Sequence, residues 1–156
     1  MKALILLPKE LSMVSVYEKL MPIERLFGQD SLYAVISADA KHFIDAFPEL
    51  VYIFNETGSL LHGIYKGLRK LRGNDVFLID LSFEHSAEVI RQFAKARRQN
   101  LLHSINGSWQ GLALLRLIDL DYVIRSLESL VDRNYLDFAQ IMQSIKREYG
   151  IEYDLL

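Results

Sequence analysis

Asp80 ends the apolar run Val76–Ile79, and the turn Thr57-Gly58-Ser59 opens the segment leading to it. A carboxylate leaving a buried strand can hold a divalent cation; it can equally cap the turn that follows. Gly58 and Ser59 introduce a helix whose first turn contains His62, close enough to a site at that end to touch a ligand. Plain surface placement is the stronger reading for His62. Lys66, Arg69, Lys70 and Arg72 could meet phosphate, although a solvated helix face explains them without any ligand. Asn106-Gly107-Ser108-Trp109 offers an amide beside an indole that could stack on a base or a pterin-like ring. Trp109 could also simply cover the end of a sheet. Asp39 could assist in a nucleotide site and is more often a turn residue. No Ser-His-Asp set, pair of catalytic carboxylates or His-x-x-x-His helix pattern is visible.

The elements that must position these residues follow from periodicity. Leu60, Leu61, Ile64, Leu68 and Leu71 form one helical stripe, with Thr57 or Ser59 as cap and Gly73 as stop. Gly63 and Gly67, one turn apart, suit close packing on a sheet. Val76–Ile79 is unbroken by polar residues, as expected of a strand covered on both faces. Ligands of open α/β sheets bind beyond the carboxyl ends of such strands, which is where Asp80 and the Gly58 turn lie if the preceding strand is parallel.

Before this unit, the spacing predicts strands at 3–7, 33–37 and 50–54. A helix capped by Ser12 carries Met13, Val16, Tyr17 and Leu20 inward, is interrupted or restarted at Pro22, and ends at Gly28. A short helix around 41–47 precedes Pro48. After it, Ser86 caps a helix bearing Val89, Ile90, Phe93 and Ala94, with Arg97 and Arg98 in its last turn. Strand-like segments 101–105 and 112–117 flank Asn106-Gly107, a strong signal for an antiparallel or bent pair. Helices from Asp119 and over 135–149, then an edge strand within 151–156, complete the chain. Strand and helix alternate, so the expected architecture is a single-domain, three-layer α/β/α sandwich over residues 1–156 with a mostly parallel, mixed, Rossmann-like sheet.

Composition excludes several classes. The chain has 156 residues, enough for a core of its own, and no cysteine, which removes disulfides and thiolate chemistry. A net charge of −2 advertises neither nucleic acid nor an anionic membrane as partner. No apolar run is long enough to span a bilayer, and MKALILL is too short for a signal peptide, so a cytoplasmic location is expected.

Two motifs resemble one family. Gly58-Ser59-Leu60-Leu61-His62-Gly63 looks like the Gly-Pro-Leu-Ala-Gly turn of molybdenum cofactor guanylyltransferases and their nucleotidyltransferase relatives. Asp80-Leu81-Ser82-Phe83 looks like their Asp-Met-Pro-Phe, and the order and spacing are similar. The Ile36-Ser37-Ala38-Asp39 strand end and the late Gly111–Leu117 segment, leading into two helices and a short strand, extend the resemblance over most of the chain. It implies magnesium-dependent transfer of a nucleoside monophosphate from a nucleoside triphosphate to a phosphorylated acceptor. Asp80 would be the magnesium ligand. Gly58, Ser59, His62 and Asn106 would contact the nucleotide or phosphorylated small molecule.

The chain departs from that family at one place. The glycine-rich loop that cradles the triphosphate should follow the first strand; Pro8-Lys9-Glu10-Leu11 stands there, with no glycine before Gly28. Pro8 has no N–H to donate, and Glu10 repels phosphate. In a second register, Lys2-Ala3-Leu4 with Leu6-Leu7 resembles the Asp-Lys-x-Leu-Leu segment beyond the glycine loop, and the first strand is itself lost. Both registers remove the cradle. The function expected is thus a degenerate nucleotidyltransferase, weakly active or inactive, using magnesium if active. The alternative is a non-catalytic nucleotide- or partner-binding protein on the same fold, with a homo-oligomer or protein partner possible. A receiver domain is weaker, since the first strand ends Leu7-Pro8-Lys9 without the acidic residues it needs.

Overall fold

In a computed structural model, residues 1–96, 99–133 and 136–156 are described. The strands are β1 (Lys2–Leu6), β2 (Leu32–Ser37), β3 (Val51–Asn55), β4 (Val76–Asp80), β5 (Asn100–Ile105), β6 (Ser108–Leu115) and β7 (Tyr153–Leu155). The helices are α1 (Met13–Phe27), α2 (His42–Ala46), α3 (Leu60–Lys70), α4 (Ala87–Lys95), α5 (Leu117–Leu130) and α6 (Phe138–Tyr149). The seven strands form one sheet in the order β3-β2-β1-β4-β6-β5-β7. β3, β2, β1 and β4 run parallel, β6 is antiparallel to both β4 and β5, and β7 is parallel to β5. The expected α/β sandwich with a mixed, mostly parallel sheet is what the chain forms.

The central strands alternate their side chains between two cores, as strand geometry requires. Leu4, Leu6, Val76 and Leu78 pack with α3, α5 and α6 on one face. Ala3, Ile5, Phe77 and Ile79 pack with α1, α2 and α4 on the other. Every residue of β4 is buried, which explains why its sequence reads as a continuous apolar run. Gly67 lets α3 approach β1: a Cβ there would lie 2.5 Å from Leu4 Cδ2.

Several boundaries differ from the sequence expectation. Pro22 lies inside α1, which runs on without a break. A helical proline removes one N–H and crowds one carbonyl, and here the buried Val16, Leu20 and Ile23 anchor the helix on both sides. Met13 (38% exposed) and Tyr17 (60%) face outward, because Tyr17 is rotated about 100° from Val16 and Met13 lies in the first turn. Leu60, at 45% exposure, stays outside the buried stripe that Leu61, Ile64 and Leu68 form. β6 begins at Ser108, four residues earlier than expected, because Asn106 (φ 52°) and Gly107 (φ 78°) make a two-residue hairpin turn and pairing resumes at once. α5 starts at Leu117, with Asp119 in its first turn accepting from Asn100 Nδ2 at 2.8 Å. Asp137 caps α6 in a reciprocal capping box with Gln140. The expected helix start at Tyr135, and Arg97 and Arg98, lie outside the described residues. Among the described residues no helix is long and apolar enough to cross a membrane.

Candidate functional site

The carboxyl ends of β1 to β4 open onto a cleft of about 440 Å³. Pro8, Lys9 and Glu10 border it after β1, and Ser37 at the end of β2. Asn55 contributes from the end of β3 and Gly58 and Ser59 from the β3–α3 connection, with Asp80 ending β4 and Ser82 just after it. Pro8-Lys9-Glu10 therefore follows a central strand of the sheet and borders the cleft directly.

Asp80 is only 5% exposed. Its Oδ1 accepts from the Ser82 N–H at 2.9 Å and the Ser82 hydroxyl at 2.7 Å, so it does cap the following turn. Oδ2 accepts no hydrogen bond among the described residues. One carboxylate oxygen thus shapes the backbone of the turn. The turn itself is pinned from two sides. Lys19 Nζ, reaching from α1, donates to Leu81 O at 2.7 Å and pairs with Glu84 at 2.9 Å. Phe83 lies over Gly111, whose φ of +84° and missing side chain make the contact possible; a Cβ there would stand 2.6 Å from Phe83 Cδ2. Beside it, His85 Nε2 is 2.7 Å from Gln110 O. Burial pushes the His85 imidazole below its ordinary range, and the contact with the Gln110 carbonyl offsets part of that.

The Gly58 turn is held by a residue that the sequence did not single out. Asn55, nine-tenths buried, accepts at Oδ1 from the Thr57 hydroxyl (2.9 Å) and the Thr57 N–H (3.3 Å). Its Nδ2 donates to Ser59 O at 2.8 Å, and Thr57 Oγ1 accepts from the Ser59 N–H at 3.1 Å. Gly58 adopts φ +71°. Ser59 occupies the N-cap position of α3, yet its side chain makes no capping bond, and its buried Oγ has no partner among the described residues. Gly63 brings the helix against this turn, with the site of a Cβ 3.1 Å from Asn55 Nδ2 and 3.2 Å from Val35 Cγ1.

Lys9 spans from the β1 loop to Asp39, just beyond β2, at 2.9 Å. Ser37 Oγ donates to the other Asp39 oxygen at 2.5 Å. Lys9 and Ser37 together hold the Asp39 carboxyl down at about 2, and Asp39 in turn raises Lys9 above its usual value.

Of the five residues singled out for ligand or metal, Gly58, Ser59 and Asp80 share this cleft, whereas His62 and Asn106 do not line it. His62 Nε2 faces Asp132 at 3.6 Å. Asn106 occupies the tip of the β5–β6 hairpin, where the turn needs its positive φ. Trp109 is 2% exposed and donates from Nε1 to Leu112 O at 2.9 Å, with its ring edge-on to Phe138. It covers the sheet. Lys66 donates to Phe54 O at 3.2 Å and Arg72, just beyond α3, pairs with Asp121 at 3.5 Å; neither lines the cleft.

No group of three His, Cys, Asp or Glu converges among the described residues. The donor set therefore does not amount to an all-protein metal cage. A single buried carboxylate with one free oxygen does fit a magnesium ion whose remaining ligands are waters and substrate phosphates, the usual situation for that ion.

Neither the protein-family models nor the curated proteins include a match to this chain. Solved structures do match. Molybdopterin-guanine dinucleotide biosynthesis protein A from Archaeoglobus fulgidus superposes with a TM-score of 0.64 at 14% identity, over 100% of this chain and 83% of that one. The 4-diphosphocytidyl-2C-methyl-D-erythritol synthase from Anaerococcus prevotii gives 0.71 at 12% identity, over 99% and 88%. A second structure of such a synthase gives 0.59 at 15%, over 99% and 87%. What is shared is the fold. The chain has the nucleotidyltransferase-like fold that its two motifs implied.

Proposed function

We propose that this protein binds a nucleotide or phosphorylated small molecule in the cleft at the carboxyl ends of β1–β4, and transfers nucleotidyl groups weakly or not at all. The observation that carries this reading is the composition of the cleft. It retains Asp80 with a free oxygen and the Gly58-Ser59 turn, but its β1 loop is Pro8-Lys9-Glu10. Oriented backbone donors stabilise the charge that develops on a departing pyrophosphate, and removing one such donor typically costs about 3 kcal/mol of transition-state stabilisation. Pro8 supplies none, and Glu10 adds charge of the wrong sign.

Magnesium belongs to this reading as an ion that arrives with the nucleotide. Asp80 Oδ2 would hold it, and the ion would supply charge neutralisation between phosphates. Asn55 fixes the opposite wall, so that the backbone of the Gly58 turn is placed for the sugar or base.

The test is a thermal-shift series with the nucleoside triphosphates, with and without magnesium, alongside a pyrophosphate-release assay using a sugar-phosphate acceptor. Stabilisation with little or no release is expected. Robust magnesium-dependent release would show the protein to be a working transferase, and no stabilisation by any nucleotide would remove the cleft as a nucleotide site.

A further inference from the structure

Lys9 is the only cation among the described residues that line the cleft, and it is not free. Its Nζ is 2.9 Å from Asp39 Oδ2. Asp39 is not a loose surface carboxylate, because Ser37, itself a cleft residue, donates from Oγ to Asp39 Oδ1 at 2.5 Å. A hydroxyl on one oxygen and an ammonium on the other are the contacts that a phosphate oxygen pair would take at the same place. Glu10 and Asp80 are the other ionisable residues of the cleft, and both are acidic. With Lys9 neutralised, the field inside opposes a polyanion.

We propose that Asp39, just outside the cleft, is a tethered anion that occupies the cleft's Lys9 ammonium and Ser37 hydroxyl, so that a phosphate-bearing ligand must draw both away from Asp39 in order to bind. This rests on the reading of the cleft as a site for a nucleotide or phosphorylated small molecule, and adds to it the contact that sets affinity. The exchange is within reach energetically. The paired side chains are 51% and 62% exposed, and solvated lysine–carboxylate pairs of that kind contribute little net stability. Asp39 remains ionised throughout the neutral range, since its carboxyl is held at about 2, so the competitor does not disappear with modest acidification.

The experiment is calorimetric titration with pyrophosphate, guanosine triphosphate and cytidine triphosphate at low ionic strength, each with and without magnesium. The proteins are wild type, Asp39→Asn, Lys9→Met and the double variant, with guanosine and cytidine as phosphate-free controls. Asp39→Asn should tighten binding of pyrophosphate and of the triphosphates about three- to tenfold. The gain should vanish in the double variant, shrink with added salt and be absent for the nucleosides. A gain that survives in the double variant would mean a diffuse charge effect and would overturn the proposal. So would equal triphosphate affinities in wild type and Asp39→Asn. If in that case Asp80→Asn still abolished a magnesium-dependent response, the cleft reading would stand while the role of Asp39 fell. Absence of binding by every probe to every variant would bring down both.

Discussion

The side-chain amide of Asn55 donates to the backbone carbonyl of Ser59 at 2.8 Å while its oxygen receives both donors of Thr57, so one buried residue at the end of β3 dictates the turn that walls the cleft. The turn also closes over Gly63, where α3 comes within 3.1 Å of Asn55 Nδ2 measured from the site of a Cβ.

Replacing Asn55 by Ala should therefore cost stability as well as shape. The Ser59 carbonyl and the Thr57 donors lose their partner in a part-buried setting, and stranded polar groups of this kind cost about 1–3 kcal/mol. Chemical denaturation should show a lowered midpoint with an unchanged slope. A midpoint equal to wild type would mean that the turn holds itself together without Asn55.

Gly111→Ala should be more damaging than any other glycine substitution in the chain's second half. It places a Cβ 2.6 Å from the Phe83 ring at a residue whose φ is +84°. Left-handed strain adds about 1–2 kcal/mol and overpacking about 1–3 kcal/mol. Because Phe83 belongs to the turn that Asp80 caps, nucleotide-dependent stabilisation should fall together with the melting temperature. Gly107→Ala, where the site of a Cβ meets nothing within 4 Å, is the control for φ strain alone.

The sheet was legible because the central strands are uniformly apolar; β4 is the clearest case. Pro22 misled because a proline's penalty is local, whereas α1 is fixed by burial of Val16, Leu20 and Ile23 on either side of it. Asp80 and the Gly58 turn were legible because their residue types are unusual at the end of an apolar strand. Asn55 and Ser37 were not, since a small polar residue after a strand looks alike whether it faces solvent or organises a turn. The Lys9–Asp39 pair joins residues thirty positions apart, which only the parallel β1–β2 pairing brings together. For Trp109 residue type alone left ligand stacking and sheet cover open, and the hairpin turns the indole into the core against Phe138.

Through its burial, His85 gives the fold a pH dependence whose sign follows from linkage. Its folded-state pKa lies below the ordinary value of 6.5, chiefly through burial. The unfolded chain then binds the proton more readily, so the contribution is complete above 6.5 and is lost as pH falls from there through the folded pKa. The thermal stability of wild type should fall from pH 7 toward pH 5, and His85→Gln should flatten part of that slope. A slope unchanged by the substitution would assign it to other groups.

Asp80→Asn separates the two roles that the two carboxylate oxygens play. An asparagine keeps a carbonyl oxygen that can accept from the Ser82 N–H and hydroxyl, as Oδ1 does now at 2.9 and 2.7 Å. The turn should therefore survive, with stability within about 1 kcal/mol of wild type. What asparagine cannot supply is the anionic oxygen for magnesium. If Asp80 holds the ion beside a nucleotide, the difference between nucleotide titrations with and without magnesium should disappear in the variant, while any magnesium-independent binding remains. If Asp80 serves only the turn, all four titrations across the two proteins should give equal affinities. In that case the metal leaves the picture, and the cleft is a binding site without transfer chemistry.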